Sequence, residues 1–281
     1  MRISVKLAPT FSYGELERFW LAADRLGFDA VWNYDHFYGL VDDAKPTLEG
    51  WTTLAAMAAL THNVRVGCMV TGVTYRNPAI LAKMAVTVDH ISGGRLDFGI
   101  GAGWHGAEHR GYGIEFPGAG TRVAMLDEAL TVMRRLWTEE SVTHEGRFFT
   151  LTDALCEPKP VQRPYPPIIV GGSQPKMLRV IARHADEWNM PSHHGPEEWG
   201  ETNTRLDAAC AEVGRTPTEV RRSAQLFLHP KKPGQVDEQL GLLPRYAALG
   251  CEHAVLSFYQ PPDDQTLRFC AVLAQNQPND I

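Results

Sequence analysis

The sequence predicts a TIM (β/α)8 barrel on three observations: eight short β-rich runs, a helical pattern after each, and a length of 281 residues that suits one such barrel. The first run, "ISVKLA" (3–8), is followed by "SYGELERFWLAADRLG", in which Leu16, Phe19, Trp20, Ala23 and Leu26 recur at helical spacing before Gly27 stops the helix. "AVWNYD" (30–35) precedes "EGWTTLAAMAALT", and "VRVGCMV" (64–70) precedes "NPAILAKMAVTVDHIS". "RLDFGIG" (95–101) leads, after an irregular stretch, into "TRVAMLDEALTVMRRLWT". The second half repeats the alternation: "PPIIVGG" (166–172) with "PKMLRVIARHA", "EWNMP" (187–191) with "PEEWGETNTRLDAACAEVG", "VRRSAQLFLH" (220–229) with "QVDEQLGLLPRYAALG", and "HAVLSF" (253–258) with "DQTLRFCAVLA". No Pro, Gly and Ser linker divides the chain, so one domain over 1–281 is expected.

Two loop excursions follow strand four: 104–120, "WHGAEHRGYGIEFPGAG", with the next helix starting near Thr121, and 139–166, a hairpin through "VTHEGRFFTL". Both are expected to wall a pocket at the strand C-terminal face, where barrels carry their chemistry.

Composition excludes several functions. With 44% hydrophobic residues and a net charge of -6, the chain can fill a core but carries no basic field for nucleic acid, and its Lys and Arg are scattered. The start "MRISVKLAPTFSYGELERFW" lacks an apolar signal core, and no stretch approaches the roughly 20 apolar residues of a membrane span, so a cytoplasmic protein is expected. Cys68, Cys156, Cys210, Cys251 and Cys270 show no Cys-x-x-Cys pattern, which predicts reduced, buried thiols.

Three motifs bear on chemistry. "GAGWHG", Gly101–Gly106, matches a dinucleotide fingerprint after a strand, but Gly- and Pro-rich chain follows where that site needs a helix. Gly101 and Gly103 then serve a sharp turn off the strand and a close backbone approach to a ligand. "HGAEH" sets His105 and His109 four apart without the His-Glu-x-x-His pattern, and strand one ends in "LAPTF" with no His, so no metal is expected. "IIVGGSQPK" ends a strand at Gly171 and Gly172, adds Ser173, and opens a helix at Pro175, with Lys176 and Arg179 nearby. That arrangement suits a phosphate, and equally an ordinary strand-to-helix turn.

Together "AVWNYDHF", "VRVGCMVTGVTYRNPAILAKMAVTVDHISGGRLDFGIGAGW", "PPIIVGGSQPKML" and "ADEWN" resemble the luciferase-like monooxygenase superfamily, in particular its deazaflavin (coenzyme F-420) branch. The resemblance runs in order over nearly the whole chain, and the middle block is its most specific part. It implies a bacterial luciferase-like barrel that binds a flavin-type ring in its mouth and transfers hydride to or from a small molecule. By position, Asp35 would hydrogen-bond the cofactor's polar edge and His36 would act as general acid or base toward substrate. Thr71, Gly72 and Val73 would meet the ring, with a cis peptide at Gly72 to Val73. Gly101, Gly103 and Trp104 would line it, and Gly171, Gly172 and Ser173 would hold the phosphate. Trp104 stands where some deazaflavin dehydrogenase relatives place a glutamate as proton donor, and no cluster of basic residues offers itself to a substrate phosphate, so sugar-phosphate dehydrogenase activity is not expected. Trp104, Glu108 and Trp188, with Tyr75, would form the substrate pocket. The resemblance also implies a homodimer and a separate reductase that supplies reduced cofactor. FMN with oxygen is the alternative to coenzyme F-420.

Overall fold

Parallel strands close into a barrel in the computed structural model, which describes residues 1–40 and 42–275. The strands are β1 (Arg2–Leu7), β2 (Ala30–Asn33), β3 (Arg65–Cys68) with its continuation β4 (Thr71–Gly72), and β5 (Leu96–Gly101). An antiparallel hairpin, β6 (Val142–Glu145) and β7 (Thr150–Ala154), precedes β8 (Ile168–Gly171), β9 (Glu187–Pro191), β10 (Arg221–Leu228) and β11 (His253–Phe258). Pairing of β1 with both β2 and β11, and of β3 with β5, completes the ring. The helices are α1 (Tyr13–Leu26), α2 (Gly50–Leu60), α3 (Pro78–Ser92), α4 (Gly106–Tyr112), α5 (Ala119–Thr138), α6 (Pro175–His184), α7 (Pro196–Glu212), α8 (Gln235–Leu240), α9 (Leu243–Ala248) and α10 (Asp264–Gln275). The expected barrel is therefore present; residues 276–281 of the expected domain lie outside the described residues.

Strand alternation sorts side chains into two compartments. Ile3, Val5 and Leu7 of β1 face outward and pack with Leu16, Phe19 and Trp20 of α1 in the main core. Residues of the opposite parity face inward, where Ala30, Trp32, Met69, Ile169 and Val255 form a small apolar plug. All five cysteines are free and buried, as expected.

Below the plug, Glu187 closes the lower end of the barrel. It accepts from Arg2 at 2.7 Å and pairs with His253 Nδ1 at 2.7 Å, and His253 Nε2 meets the Ser4 hydroxyl at 2.6 Å. Burial raises the Glu187 carboxyl, but His253, Arg2 and Arg221 outweigh it and hold the group down at about 2. A carboxyl depressed in the folded state stabilises above its unfolded value near 4.5 and loses that contribution as pH falls toward 2. At ~1.4 kcal/mol per pKa unit the share is at most about 3 kcal/mol. Glu187→Gln is expected to unfold at lower urea at neutral pH and to show a shallower loss of stability between these two values; an unchanged acid limb refutes the assignment.

Three expectations need correction. The 139–166 hairpin contributes nothing to the pocket: α5 returns the chain to the strand N-terminal end, and the segment docks there. Gln162 bonds Asp89 and the Leu96 carbonyl, and His90 bonds the Lys159 carbonyl. The 104–120 stretch is not wholly irregular, because α4 forms inside it and α5 begins at Ala119. The third strand is interrupted, and the cis peptide lies at Met69–Val70, not at Gly72–Val73. Thr71 and Gly72 must already pair with Ile100 and Gly101, so the break in the ladder falls before them.

Candidate active site

A cavity of about 1070 Å³ opens at the C-terminal ends of the strands, with the interrupted third strand, the chain after β2 and the turn into α6 on its wall. The interruption bulges Val70 inward. A Cβ at Gly99 would lie 2.0 Å from the Cys68 carbonyl oxygen, and one at Gly101 would lie 3.0 Å from Val70, so the neighbouring strand must be glycine where the bulge presses on it. Gly103 has a φ of +75°, which turns the chain off β5 as the sequence indicated. Val70, Gly72, Gly101 and Gly103 line the cavity.

His36 sits three residues beyond β2, buried at the cavity wall. Its ring is held from behind by Glu108 of α4. The Glu108 carboxylate takes His36 Nδ1 at 2.9 Å, the backbone N–H groups of Phe37 at 2.7 Å and Tyr38 at 2.8 Å, and the Tyr75 hydroxyl. Four donors saturate both oxygens. Burial works against the charge on Glu108, yet the bonds from His36 and Tyr75 dominate and hold its carboxyl at about 2. Burial and the bond to Glu108 push the Tyr75 phenol up, so it remains a donor. Because a carboxylate only accepts, Nδ1 carries a proton, and Nε2 is left without a protein partner among the described residues.

Asp35 is committed differently from the expectation. Its carboxylate takes Arg76 in a two-pronged ion pair, at 2.5 Å and 3.0 Å, and the Thr71 hydroxyl at 2.9 Å. Trp51 donates in turn to Thr71 at 2.6 Å, and Arg76 also reaches Glu49, the N-cap of α2. Burial pushes the Asp35 carboxyl up while Arg76 and Thr71 pull it down. The network ties the end of β2, the third-strand interruption and α2 together, and Asp35 and Thr71 both line the cavity.

At the other end, Gly171, Gly172 and Ser173 lead into α6 and line the cavity. Gly172 has a φ of +146°, the N-cap Gln174 makes no side-chain cap bond and Pro175 carries no N–H, so the N–H groups of Lys176 and Met177, both cavity-lining residues, have no hydrogen-bond partner among the described residues. Lys176 lines this end; Arg179 does too, but is paired with Glu212 at 2.9 Å.

Three expected wall residues do not line the cavity. Glu108 stands behind His36. Val73 is in the main core, its N–H given to the Gly101 carbonyl at 2.9 Å. Trp188 has outward parity on β9, stacks on Trp199 at 5.3 Å and donates to the Gly172 carbonyl at 2.7 Å. Trp104, 60% exposed, does stand at the mouth, 5.5 Å from the His36 ring. Opposite it is an aromatic wall the sequence reading missed: His193 stacks on Phe227 at 4.4 Å, and Tyr259 lies 5.6 Å from Phe227. Also missed were Lys6, Gln225 and Asn189 on the floor. Their signal was a polar residue at inward parity in the runs "ISVKLA", "SAQLFL" and "EWNMP". Among the described residues no group of His, Cys, Asp and Glu could hold a metal, and no helix is long and apolar enough to cross a membrane.

A family model described as luciferase-like monooxygenase matches residues 2–264. Among curated relatives, the F420-dependent glucose-6-phosphate dehydrogenase of Kineococcus radiotolerans is 33% identical over 225 residues, 79% of this chain and 65% of the relative. The phthiodiolone/phenolphthiodiolone dimycocerosates ketoreductase of Mycobacterium tuberculosis is 31% identical, over 72% of this chain and 58% of the relative. The chain thus spans less than two thirds of the length of both. Among solved structures, an F420-dependent secondary alcohol dehydrogenase in complex with an F420-acetone adduct aligns with a TM-score of 0.84 at 20% identity, covering 99% of this chain and 100% of the other. The monooxygenase RslO1 from Streptomyces bottropensis aligns with a TM-score of 0.78 at 23% identity, over 98% of each chain. Both share the fold.

Proposed function

The chain belongs to the luciferase-like monooxygenase family, and we propose that it is an oxidoreductase passing hydride between coenzyme F-420 and a small, largely apolar organic substrate. One observation carries this reading: a single cavity joins a carboxylate-held imidazole to a helix N-terminus whose Lys176 and Met177 N–H groups have no partner among the described residues. The names of the relatives point the same way. The residues fit a phosphate-bearing ring cofactor. The Gly172–Gln174 turn and Lys176 would take the phosphate, and Val70 would give the ring an apolar shelf. When bound, coenzyme F-420 supplies a ring carbon that gives or accepts hydride.

The chain's own residues do the rest. His36 Nε2 moves the proton that accompanies hydride transfer to or from a substrate oxygen. Trp104 and the His193–Phe227–Tyr259 wall exclude water and accept a flat or apolar substrate. A sugar phosphate fits poorly, since the cavity-lining cations are Lys6 on the floor and Lys176 and Arg179 at the phosphate end. A homodimer, a cytoplasmic location and a reductase that recycles the cofactor accompany this reading as proposals.

Equilibrium titration of the purified protein, followed by fluorescence, is expected to give micromolar affinity for coenzyme F-420 and much weaker affinity for FMN. Micromolar FMN binding without a response to coenzyme F-420 reverses the reading in favour of a flavin monooxygenase.

A further inference from the structure

The floor of the cavity holds a buried cation with no anion beside it. Lys6 is only 7% exposed, and its ammonium donates to the Met69 carbonyl at 2.9 Å and to Gln225 Oε1 at 2.6 Å. Both acceptors are neutral, the ammonium otherwise faces the Tyr34 ring at 5.8 Å, and no carboxylate is paired with it among the described residues. Burial lowers this ammonium to about 8, against a smaller opposing effect of the Cys68 thiol, so it is mostly charged at neutral pH. Beneath it lies the apolar plug around Trp32, which offers nothing. A buried charge without a counter-charge is costly, so its complement is to be sought in what enters the cavity.

Two neighbours define that complement. Lysine can only donate, so the Gln225 atom facing it is the oxygen, and Nε2 has two hydrogens without a partner among the described residues. The Asn189 amide nitrogen donates to the Ser223 hydroxyl at 2.9 Å, and that hydroxyl donates on to the Trp188 carbonyl. Asn189 Oδ1 is therefore a fixed acceptor without a partner among the described residues. The floor offers donors from Lys6 and Gln225 and an acceptor from Asn189.

We propose that Lys6, Gln225 and Asn189 form a subsite for the imide edge of a flavin-type ring and favour the form in which that edge is anionic. The assignment rests on the functional reading above. An imide edge presents two carbonyls and one N–H, which in kind call for the donors of Lys6 and Gln225 and the acceptor of Asn189, and charge that arrives with hydride delocalises onto that edge. A substrate carboxylate has acceptors alone and would leave Asn189 Oδ1 facing negative charge.

Dissociation constants of oxidised and reduced coenzyme F-420 test this for the wild type and Lys6→Met. Removing the charge is expected to lower the preference for the reduced form ~10-fold or more. A second arm needs no variant: methylating the imide nitrogen of a 5-deazaflavin is expected to weaken binding to the wild type ~10- to 100-fold, since Asn189 loses its donor. An unchanged preference in Lys6→Met, or equal affinity for the methylated ring, overturns the subsite while coenzyme F-420 still binds. No binding of either redox form to the wild type overturns the subsite and the functional reading together.

Discussion

His36→Ala is expected to lower kcat ~10²- to 10⁴-fold, the usual worth of a positioned general acid or base, while the dissociation constant for coenzyme F-420 changes little. The expectation follows from how the imidazole is mounted. Nδ1 is spent on Glu108, Nε2 has no protein partner among the described residues, and the ring lies 5.5 Å from Trp104 at the mouth. Everything assigned to the cofactor's phosphate lies elsewhere, at the Gly172–Gln174 turn. Loss of the imidazole should therefore separate turnover from cofactor affinity. The competing role is that His36 only fastens the loop after β2. Glu108 makes this testable, because it still holds Phe37 and Tyr38 by their backbone N–H groups when the imidazole is gone. A lower melting temperature with kcat near the wild-type value would assign His36 to the loop; a large fall in kcat with a nearly unchanged melting temperature assigns it to catalysis.

How far the sequence disclosed this site depends on the kind of signal. The alternation of strand and helix was local, and all eight barrel positions were legible within a few residues at their ends. His36 and the glycine turn at 171–173 were legible because each sits just beyond a strand, where a barrel displays ligand-binding groups. Glu108 was read as a pocket wall because its partner lies 72 residues away in sequence, and because the short α4 carries two glycines that hide its helical pattern. Trp188 was misplaced for want of parity: its strand neighbour Asn189 faces the cavity, which turns Trp188 toward α7. The same parity rule would have flagged Lys6 and Gln225, polar residues at inward positions near the C-terminal ends of their strands. The position of the cis peptide was not legible, because it depends on where β4 resumes its pairing with β5.

Glu108→Gln is expected to cost ~10²- to 10³-fold in kcat through the imidazole tautomer, with cofactor affinity retained. The amide oxygen can still accept from Phe37 and Tyr38, which leaves the NH2 group where Oε2 now meets His36 Nδ1 and the Tyr75 hydroxyl. A donor at that place turns Nδ1 into an acceptor and moves the imidazole proton to Nε2, the atom that must be free to take a proton. It also removes the negative charge that stabilises the imidazolium once formed. Since the Glu108 carboxyl is held at about 2, it stays ionised across the working pH range, and the effect should persist at every pH where the enzyme turns over. Glu108→Asp separates tautomer control from simple anchoring. The shorter carboxylate strains the bonds to Phe37 and Tyr38 yet still demands a protonated Nδ1, so it should retain more turnover than Glu108→Gln despite a lower melting temperature. Equal loss of turnover in the two variants would show that Glu108 acts through the loop alone, and that the proton on His36 is set by something other than this carboxylate.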